Sequence, residues 1–210
     1  MMRTNSSVVA REAARLLYYG IVDEYKSAKL SAVKSLGINI LPSNYDIAIE
    51  LDRLVEQIER KEREKLILRL RKGALELMTY LSPFQPRLIG SVWRGTARKG
   101  SDIDIQVYAS SIDEVQRKLG EKFQITKSEW TSKTSKGETS RFYHVFVRLQ
   151  TGDEAEISVK NLADANEIGK DSVYGDNIVG LNTQELQSIL RRNPIHRFVP
   201  EKKKGRREKR

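Results

Sequence analysis

The stretch "IGSVWRGTARKGSDIDI", Ile89 to Ile105, decides how the rest of the chain is read. It runs into "DIDIQVYA" (102–109), where Ile103, Ile105 and Val107 fall on one face and Asp102, Asp104 and Gln106 on the other. That is the period of a strand with one buried face. Ahead of it Gly90, Gly95 and Gly100 stand five residues apart. Both intervals match the opening of a G-x-x-x-x-G phosphate loop. Gly95 precedes Thr96 and Gly100 precedes Ser101, however, where a P-loop kinase or ATPase needs Lys and then Ser or Thr. Backbone N–H groups of such a loop still suit phosphate. Gly90, Ser91, Arg94, Lys99 and Ser101 are therefore the nucleotide-binding candidates, with Arg98 close by.

Asp102 and Asp104 share a strand face, which puts their Cβ atoms roughly 7 Å apart. Two carboxylates at that spacing repel unless they are solvated, protonated or bridged by a cation. Mg²⁺ suits them, because it takes one or two carboxylates and completes its shell with water and phosphate oxygens. Phosphoryl transfer with two metals calls for a further carboxylate. "GDEAEISV" (152–159) supplies one: Glu154, Glu156 and Ser158 lie on one face of a strand, and Glu156 reaches Asp104 if the two strands are neighbours.

Outward from this centre the pattern changes class. Apolar residues recur at helical steps over 6–36, from Val9 and Ala13 to Leu36, and predict one helix ending at Gly37. A second helix begins near Tyr45, "ERKEREK" (59–65) reads as a polar break or an exposed helical stretch, and a third helix covers Leu66 to Leu81. Beyond the strand at 102–109 a helix is expected over 111–123. Strands follow at 125–130, 141–150 and 154–160, and a helix after Asn182. This order predicts an α+β fold: a mixed β-sheet core with helices, preceded by an N-terminal helical hairpin. The expected division is 1–62 helical, 63–200 the sheet domain, and 201–210 a disordered basic tail.

Composition narrows the chemistry. There is no cysteine, which removes disulfides, thiolate nucleophiles and Cys-based zinc sites. The two histidines, His144 and His196, lie far apart, so a His-rich metal centre is not expected. No apolar run approaches a membrane span, and "MMRTNSSVVAREAARLL" lacks a signal-peptide core, so the expected location is cytoplasmic with no membrane partner. The formal net charge is +10, and half of it lies in "EKKKGRREKR" (201–210), with seven cations against two anions. That segment reads either as a solubilising end or as a phosphate-seeking arm for RNA.

Taken together, "IGSVWRGTARKGSDIDIQV" resembles the signature of the nucleotidyltransferase superfamily that includes DNA polymerase β. That signature is Gly-Ser, a spacer, Asp-x-Asp, and a third acidic residue on a later strand. The form of the spacer, and "GDEAEISV" after it, are most similar to archaeal CCA-adding enzymes. The resemblance covers about residues 75–165. It implies a nucleotidyltransferase-like core, with Gly90 and Ser91 at the nucleoside triphosphate, Asp102, Asp104 and Glu156 as the catalytic carboxylates holding Mg²⁺, and Arg94 and Lys99 at phosphate. The chain departs from the pattern in carrying Glu156 where many members have Asp, and in having only some 45 residues after the core, which speaks against a full CCA-adding enzyme.

The implied activity is transfer of a nucleoside monophosphate from an NTP to an acceptor hydroxyl on an RNA end, a protein or a small molecule. The alternative is a non-catalytic module of the same fold that binds nucleotide or RNA. His144 lies on a strand near this centre and reads as an ordinary strand histidine, with a base or substrate contact as the alternative. Trp93 suits either packing or stacking on a nucleobase.

Overall fold

The computed structural model describes residues 5–135 and 138–202. Two compact units divide the chain: one drawn from Met1–Arg60, Lys170–Asn177 and Val199–Arg210, the other from Lys61–Gly169 and Ile178–Phe198. All of the basic tail beyond Lys202 lies outside the described residues.

The first unit is helical. The single helix expected over 6–36 is two, α1 (Asn5–Tyr18) and α2 (Tyr25–Leu36). The break has a local cause. Gly20 adopts φ 64°, the Gly20 N–H donates to Leu17 O at 3.3 Å, and the Ile21 N–H donates to Leu16 O at 3.0 Å. These two bonds form a Schellman close, which satisfies the last carbonyls of α1 and turns the chain out of the helix. Periodicity runs through this break because the apolar residues on either side feed one cluster. Val9, Ala10, Ala13, Ala14, Ala28, Ala32 and Ile47 all sit in it, with exposures of 1% or less. Mostly alanines meet, so the two helices of the hairpin pack closely.

Next comes α3 (Asn44–Tyr80), a helix interrupted at Arg60, where φ is 31° and ψ is −109°. The interruption falls inside "ERKEREK", and the boundary between the two units falls at the same place.

The second unit is built on a five-stranded sheet in the order β1-β2-β5-β4-β3, with β1 (Arg87–Leu88), β2 (Ile103–Ala109), β3 (Gln124–Ser135), β4 (Glu138–Arg148) and β5 (Glu154–Asn161). Only β2 and β5 run parallel; the other pairs are antiparallel, so the sheet is mixed and the fold is α+β. Alternation decides the faces. Ile103, Ile105 and Val107 of β2, Val145 and Val147 of β4, and Ala155, Ile157 and Val159 of β5 are buried in one cluster. The same cluster takes in Ile67, Leu70, Leu77 and Met78 of α3, Val115 and Leu119 of α5 (Ile112–Gly120), and Leu186 of α6 (Thr183–Arg192). α6 starts where the sequence signals it. Asn182 accepts from the Glu185 N–H at 2.9 Å, and the Glu185 carboxylate accepts from the Asn182 N–H at 2.8 Å, a reciprocal capping box. The alternate residues of β2, β4 and β5 face the other side, and the acidic centre lies there.

Two buried arginines hold the second unit together. Arg63 and Arg71 are 2% and 0% exposed. Nε of Arg63 donates to Ala97 O at 3.0 Å. Arg71 donates to Val92 O at 3.1 Å, and to Trp93 O, Pro194 O and His196 O at 2.8 Å each. Burial lowers the Arg71 pKa to about 10, so it stays charged at neutral pH.

Candidate metal centre

The register places the acidic residues. Asp104 and Glu156 are direct partners across the parallel β2–β5 pair, on neighbouring strands about 4.8 Å apart. Asp102 sits just before β2, two residues earlier and in phase with Asp104. One carboxylate oxygen from each of Asp102, Asp104 and Glu156 can be chosen so that all lie within 4.8 Å of one another. The three residues assigned to metal from sequence therefore converge.

Electrostatics describes the cost of that convergence. Burial, then the charges of Asp102 and Glu156, push the Asp104 carboxyl well above its ordinary value of 3.8. A cation among the three oxygens removes this cost. The donor set also fits the metal: three carboxylates and no nitrogen or sulfur ligand suit a hard cation such as Mg²⁺.

The Gly90–Ser91 turn presses on the same point. These residues open α4 (Gly90–Arg94), a short helix within the stretch read from sequence as a phosphate-binding loop. Gly90 adopts φ 67°, and a Cβ there would lie 2.7 Å from Asp104 Cγ and closer still to Oδ2. Only glycine leaves room for the carboxylate at this backbone conformation. The Ile89 N–H donates to Asp104 O at 2.9 Å and ties the turn to β2. Gly90→Ala is expected to displace Asp104 and destabilise the fold by roughly 1–3 kcal/mol through strain and overpacking, measured as a drop in the thermal midpoint.

The other phosphate candidates separate. Lys99 is exposed at the tip of a turn closed by Ser101, whose N–H donates to Arg98 O at 2.9 Å and whose Oγ accepts from the Arg98 N–H at 3.0 Å. Ser101 thereby shapes the loop that leads into Asp102. Arg94 departs from the expected phosphate contact. It is 2% exposed, donates to Phe198 O at 2.9 Å, and its guanidinium lies 4.4 Å from the centre of the Trp93 ring. Trp93 is 5% exposed and packs beside Phe198, so packing is its role.

One neighbour, read from sequence first as an ordinary strand histidine, stands closer to the site than that. His144 on β4 reaches the acidic centre: its Nδ1 lies 2.5 Å from Glu156 Oε1 and 3.1 Å from Ser158 Oγ, and its Nε2 lies 2.7 Å from Thr131 Oγ1. The signal that could have found it is the shared phase of His144 and Glu156 on adjoining strands, which requires the β4–β5 register.

A pH dependence follows from Asp104. The folded state keeps a proton on this carboxyl at pH values where the unfolded chain has lost it. The metal-free protein should therefore lose stability as pH rises from about the ordinary value of 3.8 through the raised one. Saturating Mg²⁺ should remove this loss. Thermal melts between about pH 4 and 8, with Mg²⁺ and with chelator, check it.

Among known proteins, no family model matches the chain, and no curated protein does. Among solved structures, it is similar to a cytoplasmic RNA terminal U-transferase at 20% identity and a TM-score of 0.32, over 56% of this chain and 34% of that one. The chain thus aligns with about a third of that protein's length. Among the described residues, no helix is long and apolar enough to cross a membrane.

Proposed function

We propose that the chain is a Mg²⁺-dependent nucleotidyltransferase that moves a nucleoside monophosphate from an NTP to an acceptor hydroxyl. One observation carries the reading: three carboxylates from β2, its leading loop and β5 converge to within 4.8 Å, beside a glycine turn that no side chain could occupy. A Mg²⁺ ion bound there supplies charge neutralisation for the triphosphate and a lowered pKa for the acceptor hydroxyl.

The chain's own residues do the rest. Asp102, Asp104 and Glu156 hold the ion on one face of the sheet. The Gly90–Ser91 turn, fixed to Asp104, offers backbone N–H groups and the Ser91 hydroxyl to phosphate oxygens. Lys99 adds a cation at the exposed rim of the loop. The substrate pair suggested by this chemistry is an NTP with an RNA end, a protein hydroxyl or a small molecule. The basic segment 201–210 favours RNA, since cations bind its phosphates without reading sequence.

The test is a screen of four labelled NTPs with Mg²⁺ against total RNA, total protein and small hydroxyl compounds. Label should enter one class, and Asp102→Ala with Asp104→Ala should abolish it. NTP binding without transfer to any class would leave a non-catalytic nucleotide-binding module.

A further inference from the structure

The search for a further role ends on β4, one strand beyond the carboxylates. His144 lies opposite Ser158 on β5 and Glu129 on β3, and Phe142 and Phe146 flank it on its own strand. Its two ring nitrogens have different neighbours. A carboxylate only accepts hydrogen bonds, so the contact at 2.5 Å to Glu156 places the ring proton on Nδ1. In the neutral ring Nε2 then carries the lone pair, and the Thr131 hydroxyl at 2.7 Å donates to it. The Phe146 ring, 6.5 Å away and tilted by 29°, stacks along one side of the imidazole.

We infer that His144 is a positioning residue that fixes the Glu156 carboxylate for the metal, and that Thr131 sets the tautomer of His144. The inference rests on the metal-dependent reading proposed above and adds a second layer to that site. The need for such a layer is physical. Glu156 has one more rotatable bond than either aspartate it must meet, so its carboxylate sweeps a larger volume when unrestrained. A hydrogen bond from a neighbouring strand removes that freedom before the ion arrives. It engages one oxygen and leaves the carboxylate its second for the cation. Imidazole suits the task because its other nitrogen can itself be anchored, and here Thr131 anchors it. Hydrogen bonds one step behind a ligand typically change metal affinity by about 10–100-fold.

The test measures cation binding rather than turnover. Mn²⁺ is titrated into the full chain and the free ion is followed by electron paramagnetic resonance. His144→Phe keeps the ring volume and its stacking on Phe146 but removes the donor, and should weaken Mn²⁺ about 10–100-fold. His144→Asn places an amide N–H near the position of Nδ1 and should recover most of the affinity. Thr131→Val, which removes the partner of the other ring nitrogen, should weaken binding by a smaller factor than His144→Phe. Thermal melts of the metal-free variants report folding, so that a misfolded His144→Phe is replaced in the comparison by the pair His144→Asn and Thr131→Val. Wild-type affinity in His144→Phe, or no recovery in His144→Asn with a normal melt, overturns the role of His144 while leaving the metal centre intact. Failure of the wild-type chain to bind Mn²⁺, with Asp104→Asn indistinguishable from it, overturns the metal centre and the inference together.

Discussion

Asp104→Asn should lower the proposed nucleotidyl transfer by about a thousandfold or more and weaken Mn²⁺ binding severely, yet leave the metal-free protein more stable than the wild type. The first effect follows from the several kcal/mol that a bound cation contributes to the developing charge, at roughly 1.4 kcal/mol for each factor of ten. The third effect has the opposite sign for a reason visible in the site. Asp104 is raised well above its ordinary value by burial and by two neighbouring carboxylates. The neutral amide escapes both penalties and keeps the volume that packs against Gly90. A decorative Asp-x-Asp on a wet strand face would change neither transfer nor melting. Transfer assays, Mn²⁺ titration and melts at neutral pH, run on one preparation, make the comparison. Unchanged transfer would remove Asp104 from the reaction.

Arg71→Met should destabilise the sheet-bearing unit by about 4 kcal/mol. Four main-chain carbonyls, those of Val92, Trp93, Pro194 and His196, accept from this one guanidinium. Methionine fills the space but donates nothing, and a buried acceptor left without a donor costs about 1–3 kcal/mol. At roughly 2–4 °C per kcal/mol for a chain of this size, the melting midpoint should fall by about 10 °C. Lysine at this position should restore only part of the loss, since one ammonium cannot match the planar fork of donors. Denaturation followed by Trp93 fluorescence reads the right region, because Trp93 is buried and its carbonyl is one of the four. A shift below about 2 °C would mean that other donors replace the guanidinium.

Local rules were enough for much of this chain. The alternation of Ile103, Ile105 and Val107 gave β2 its buried face, and Asn182 marked the start of α6. The acidic residues were legible because two carboxylates on one strand face repel unless they are solvated, protonated or bridged by a cation. What could not be read was set by tertiary context. The meeting of Asp104 with Glu156 depends on a parallel register between strands some 50 residues apart, and His144 enters through the next register along. The Schellman close at Gly20 splits a helix that periodicity alone makes continuous, because both halves supply the same alanine-rich cluster. Arg63 fell in the stretch read as a polar break or exposed helix, and Arg71 drew no reading. Yet Arg63, Ile67, Arg71, Ala74 and Met78 follow one another at helical steps of three and four, and cations inside an apolar stripe are a warning that they are buried. Arg94 misled for the same reason, since a cation beside a Gly-Ser turn invites a phosphate and this one is spent on Phe198.

The parallel pairing of β2 with β5 also fixes when the site can exist. Between those two strands the chain runs through α5 and the long β3–β4 pair, and β5 then takes its place in the sheet between β4 and β2. A ribosome-bound or truncated product that stops short of Glu154 carries both aspartates and no partner for them. On the proposed reading, all three carboxylates can share a divalent ion only once β5 has paired with β2 and brought Glu156 beside Asp104.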